Sequence, residues 1–142
     1  MAANNLPIFP HKPVNYRCKL TNHVTPRDVT TQVPVQLGTA GQHGTLITSM
    51  FVRHLGNNTA TVLRIYHKNE FETGYSLLFE VTLPAIVTGS DTAAVDGVSI
   101  TLPDMLPAGS KGLHLAPGAS LYAGLGTAIA SGVQVYAIGG EY

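Results

Sequence analysis

Residues 121–140 read LYAGLGTAIASGVQVYAIGG, with five glycines in twenty positions, and Gly124-Leu125-Gly126 has the spacing that opens a nucleotide-binding loop. That fingerprint needs a strand, then G-x-G-x-x-G, then a helix whose N-terminus receives the phosphates. Here the third glycine position is Ile129, and only residues 127–131 separate Gly126 from the next glycine. No helix fits. The stretch reads instead as two strands, 121–125 and 133–138, whose small-residue connection uses glycine to turn tightly.

The same period of two runs through most of the chain. In 45–54, strict alternation puts Leu46, Thr48, Met50 and Val52 on one face and Ile47, Ser49, Phe51 and Arg53 on the other, as for a strand covered on both sides. Gly56-Asn57-Asn58 supplies a turn, and 61–67 follows with Leu63 and Ile65 facing in and Arg64 facing out, so the two segments are expected to pair as a hairpin. In 75–83, Leu77, Phe79, Val81 and Leu83 alternate with Ser76, Leu78, Glu80 and Thr82 before Pro84. Further strands are expected at 98–102, between Gly97 and Pro103, and at 113–115, with shorter ones at 16–20 and 33–37. Pro34 places the last of these at a sheet edge. No segment sustains a 3.6-residue period, and 84–97 reads as a long surface loop. About eight or nine short strands between Gly, Pro and Asn turns predict an all-β fold: an antiparallel β-sandwich or jelly roll in one domain, 16–142.

Residues 1–15 read as an extended arm, because Pro7, Pro10 and Pro13 recur at every third position and remove backbone donors. Leu6, Ile8 and Phe9 make it too apolar to stay solvated, so it is expected to lie on its own domain or on a neighbouring subunit. Charged residues make up 11% of the chain against a typical quarter, and a surface so short of charge points to lasting contact with other proteins. The net charge is zero but unevenly placed. Seven Lys/Arg and one acid precede residue 69, and one Lys and seven acids follow, giving +6 and −6. This segregation suits opposite faces that pair when copies meet, or a charged partner. The neutral total speaks against non-specific nucleic-acid binding. No basic stretch leads into an apolar one near the N-terminus, and no apolar run reaches the roughly 20 residues of a membrane helix, so a cytosol-like compartment without membrane partners is expected.

Chemistry finds little to stand on. Cys18 is the only cysteine, which excludes an intrachain disulfide and a thiolate zinc cluster. Histidines at 11, 23, 43, 54, 67 and 114 form no H-x-H or H-x-x-x-H pair, so surface or interface roles are expected and no metal or cofactor. Glu70 and Glu72 fall in a loop, there is no nucleophile elbow, and Asn57-Asn58-Thr59 reads as a turn. No enzyme is expected. Lectin-type binding is disfavoured by the absence of Trp, since sugars stack on exposed aromatic platforms.

Four stretches, LFEVTLP at 78–84, LPDMLP at 102–107, LHLAPGASL at 113–121 and VQVYAIGGEY at 133–142, together resemble small head proteins of tailed bacteriophages. That family combines a leucine/proline connector, an L-x-L-x-P-G-x-x-L turn and a closing G-G-[DE]-Y. The resemblance covers roughly residues 44–142; the proline-rich arm lies outside it. It implies a jelly-roll-like decoration or cement protein of the virion. Such a protein is usually a homotrimer, sits on the shell of the major capsid protein and has no catalytic residue. The alternatives are a head-fibre base or tail module, or a carbohydrate-binding jelly roll. Leu6, Ile8, Phe9, Lys12, Arg17 and Tyr142 are the residues expected to meet partners.

Overall fold

The computed structural model describes residues 11–24, 27–29, 32–87, 97–103 and 112–142, none of them helical. Nine strands form: β1 (Lys12–Leu20), β2 (Val35–Thr39), β3 (Thr45–His54), β4 (Thr61–Lys68), β5 (Ser76–Leu83), β6 (Gly97–Ile100), β7 (Leu113–Leu115), β8 (Ser120–Leu125) and β9 (Val133–Glu141). One sheet runs β1-β9-β3-β6 with β7 also on β3, and the other runs β2-β8-β4-β5. All pairings between these strands are antiparallel.

All seven pairings join the first four strands to the last five, and β1 with β9, β2 with β8, β3 with β6 and β7, and β4 with β5 follow one another in chain order. These are the rungs of one long ribbon, with the β4–β5 hairpin as its tip. Wrapping the ribbon brings β9 beside β3 and β8 beside β4, which is the jelly-roll arrangement. The β1 and β2 strands lie at sheet edges, where Pro13 and the neighbouring Pro34 withhold no ladder bond.

Between the sheets lies a single apolar layer, with Ile47, Val52, Leu63, Ile65, Leu83, Leu121, Leu125, Val133 and Val135 at its fully buried centre. Cys18 is part of this layer, and burial pushes its thiol up to about 12. Since the thiolate is the reactive form, a disulfide reagent is expected to leave Cys18 untouched in the native protein and to react only after unfolding in urea. Labelling at the native rate of an exposed thiol would contradict this placement.

Three expectations change. The segments 45–54 and 61–67 are not a hairpin. They lie in different sheets, and the 55–60 connection crosses the edge of the sandwich. Likewise, 121–125 and 133–138 fall in opposite sheets, although both are strands. Two bulges also shift the face assignments. Thr48 is an extra residue opposite β9, so Ile47 joins Met50 and Val52 in the core and Leu46 turns outward. Leu78 is extra opposite β4, leaving Leu77 37% exposed while Leu78 packs against the core. Finally, the sheet begins at Lys12, inside the segment expected to be an arm. Residues 1–10 lie outside the described residues, as do 88–96 of the expected loop and 104–111 of the connector.

Candidate functional site

Part of the charge segregation of the sequence is met within one chain. Because the ribbon sets first-half strands against second-half strands, the basic half meets the acidic half at short range. Lys12 Nζ lies 3.1 Å from Glu141 Oε2, and Arg27 Nε and Arg64 Nε donate to Glu80 Oε1 at 2.6 and 2.9 Å. Hydrogen bonds from Arg27 and then Arg64 hold the Glu80 carboxyl below its usual range.

Arg64 does face away from the core, yet it is only 7% exposed. The chain after β1 folds across this outer face: Val24 N donates to Leu125 O at 2.7 Å, and Arg64 Nη1 donates to Val24 O at 2.7 Å. Val24 sits directly on Gly124, where a Cβ would come within 2.8 Å of Val24 Cγ2. That contact gives Gly124 of the opening motif its role. Tyr66 is buried beneath the same cover; burial raises its pKa, the Arg64 guanidinium opposes, and its hydroxyl makes no hydrogen bond of good geometry.

A second polar node closes the sheet-crossing connection. Asn58 accepts from Ser131 N at 3.0 Å and Gly132 N at 3.2 Å, and donates to Gly132 O at 2.9 Å and His54 Nδ1 at 3.2 Å. Its own backbone exchanges two hydrogen bonds with Ile86. Accepting at Nδ1 fixes the neutral Nε2–H tautomer of His54, whose Nε2 is buried without a partner, and burial lowers its pKa.

The partner-contact residues expected from sequence fall in separate places. Lys12 is engaged by Glu141. Tyr142 packs edge-on against His114 with ring centroids 5.4 Å apart, and its N–H donates to Gly44 O, so this segment closes on its own domain. Arg17 is exposed on β1. Leu6, Ile8 and Phe9 lie outside the described residues.

Among the described residues two exposed surfaces stand out. On the outer face of the β1-β9-β3-β6 sheet, the register aligns Arg17, Tyr136, Phe51 and Ser99 in one row and Lys19, Gln134, Arg53 and Gly97 in the next. Phe51 and Tyr136 stack with centroids 4.7 Å apart and planes 14° apart. A shallow concavity of about 570 Å³ opens beside them, lined by Thr48, Ser49, Phe51, Arg53, Ser99 and Thr101. Neither row contains a carboxylate.

The other surface is the β4–β5 tip, residues 69–75. Phe71 there is 94% exposed, with φ at +66°, a conformation that a bulky side chain rarely adopts. The turn beneath it is built, not loose. Glu72 accepts from Asn69 N at 2.8 Å and from Asn69 Nδ2 at 3.1 Å, and these bonds, backbone first, lower its pKa. Glu72 N donates to Asn69 O, and Glu70 lies against Gly118. An aromatic residue between two acids in a Gly-bounded loop was the available signal.

Among the described residues no group of three or more His, Cys, Asp or Glu is placed to hold a metal, and no helix is long and apolar enough to cross a membrane. The chain matches no family model, no curated protein and no solved structure.

Proposed function

We propose that this chain is a structural assembly protein that decorates and cements the head of a tailed bacteriophage, binding the shell of the major capsid protein as an oligomer, with a homotrimer expected. The observation that carries this reading is the set of large apolar side chains held in the open, Phe71, Val33, Leu55 and Val87, on a protein with few charged residues that pairs several of them internally. Exposed apolar groups on a weakly charged surface are costly to hydrate and gain from coverage by another protein. The jelly-roll sandwich agrees with the motif resemblance, since capsid proteins use this architecture, as do lectins and cupins. The β9 segment that ends in Gly139-Gly140-Glu141-Tyr142 supports it as a structural element, because it forms the middle of a sheet.

The test is a copy count on purified particles. Several hundred copies per head are expected, whereas a dozen or fewer would assign the chain to a fibre or tail part. The arm has its own test. Deleting residues 1–10 retains His11, whose N–H bonds to Glu141 O, and all of β1. The shortened protein is expected to melt as the full chain does and to lose at least tenfold in occupancy on washed particles. If Leu6, Ile8 and Phe9 anchor by burial, raising salt leaves attachment of the full chain unchanged. Equal occupancy of the two forms would take the anchoring role from the arm.

A further inference from the structure

We propose that the Phe71 tip of one copy docks on the outer face of the β1-β9-β3-β6 sheet of a second copy, Phe71 entering the concavity beside Phe51 and Tyr136. The inference rests on the self-association in the reading above and not on the capsid. Three observations carry it.

The first is backbone geometry. A phenylalanine in the left-handed region stores strain that glycine or asparagine would relieve, and such strain persists where the surroundings over-determine it. Here the Asn69–Glu72 hydrogen bonds and the contact of Glu70 with Gly118 do so. The second is exposure: this pre-ordered turn delivers a ring that is 94% exposed, although nothing in the fold of the chain requires an aromatic residue there. A rigid aromatic anchor already in its bound geometry loses little entropy on docking.

The third is charge. Glu70 and Glu72 flank Phe71 and are exposed, while the receiving face presents exposed Arg17 and Lys19 around a stacked aromatic pair, and its aligned rows carry no acid. One molecule thus carries both an acidic aromatic plug and a basic aromatic seat. The two patches differ, so the contact is head to tail between copies, and a suitable rotation closes it into a ring.

The measurement is the mass of the purified chain by light scattering and sedimentation at about 100 μM, at low and high salt. The wild type is expected to be oligomeric, with weaker association at high salt because the charges are screened. Phe71→Ala should weaken association at least tenfold without lowering the Tm measured at a dilution where every form is monomeric. Phe71→Gly should weaken it equally while raising Tm by about 3 °C, because the strain is released. A merely structural role would not separate these two readouts. Glu70→Lys and Arg17→Glu should each weaken association, and the double variant should regain it, since tip and face are then complementary again.

A wild-type chain that is monomeric under these conditions overturns the proposal, as does a Phe71→Ala oligomer as tight as the wild type. If the chain is monomeric yet occupies capsids in a Phe71-dependent way, the shell is the tip's partner; docking between copies fails and decoration stands. If the oligomer depends on Phe71 but never occupies particles, decoration fails and docking stands.

Discussion

Replacing Gly139 with alanine is expected to destabilise the domain by roughly 3 kcal/mol or more, lowering Tm by about 10 °C. At the bulge in β3, the extra residue Thr48 brings the two backbones together, and a Cβ on Gly139 would fall on the carbonyl oxygen of Leu46 and 2.8 Å from Ile47 Cα. Both are backbone atoms, so no rotamer change relieves the overlap. Relief requires opening the β3–β9 ladder at the centre of the sheet, over Ile47. The control is Gly74→Ala, where nothing lies within 4 Å of the added methyl group. That variant should stay within about 0.5 kcal/mol of the wild type. Thermal melts of the two variants check this, and equal stability would mean that the ladder yields at the bulge.

Asn58→Ala is expected to cost about 3 kcal/mol in urea unfolding, since it leaves the N–H groups of Ser131 and Gly132 without their acceptor at a mostly buried site. Gly132 O keeps its bond from Leu55 N, so the donors carry the loss. The same node sets a pH dependence. Burial gives His54 a lower pKa in the folded protein than its unfolded value of 6.5, so the unfolded chain binds more protons in the interval between them. Stability from this group is therefore present above pH 6.5 and declines as pH falls towards the folded value. Asn58→Asp should reverse that contribution. A carboxylate facing Nδ1 favours a protonated imidazole and raises the folded pKa, so the contribution is full below 6.5 and lost as pH rises through the folded value. Urea melts between pH 5 and 8 decide it: parallel profiles for Asn58→Asp and the wild type would remove His54 as the titrating group.

The strands were legible wherever alternation was uninterrupted, as at 61–67 and 113–115, because burial on one face imposes a period of two. What alternation does not reveal is an inserted residue. The bulges at Thr48 and Leu78 reverse the faces of Leu46, Ile47 and Leu77 while leaving the strand itself intact. Pairing was less legible. Gly56-Asn57-Asn58 has the composition of a hairpin turn, but a connection between sheets uses the same residues; only the engagement of the Asn58 side chain by 131–132, some 74 positions away, tells them apart. The candidate surfaces divide in the same way. Arg17 was visible as a cation on a strand edge, whereas the strain at Phe71 is a backbone property that composition does not carry. The pairing of Lys12 with Glu141, and of Arg27 and Arg64 with Glu80, needed the ribbon topology to become an intrachain fact.

That ribbon also governs how the protein is made. The β1 and β3 strands are joined only through β9, so one sheet stays in two pieces until residues 133–141 have left the ribosome. Until then Ile47, Met50 and Val52 are without their final cover, and the earliest strand waits for the ninth. Pairing between segments so far apart in sequence is slow, and a half-made chain with open strand edges is prone to aggregate. A nascent chain of this kind would be a natural client for holding chaperones, and its yield in a cell would depend on synthesis rate more than its final stability suggests.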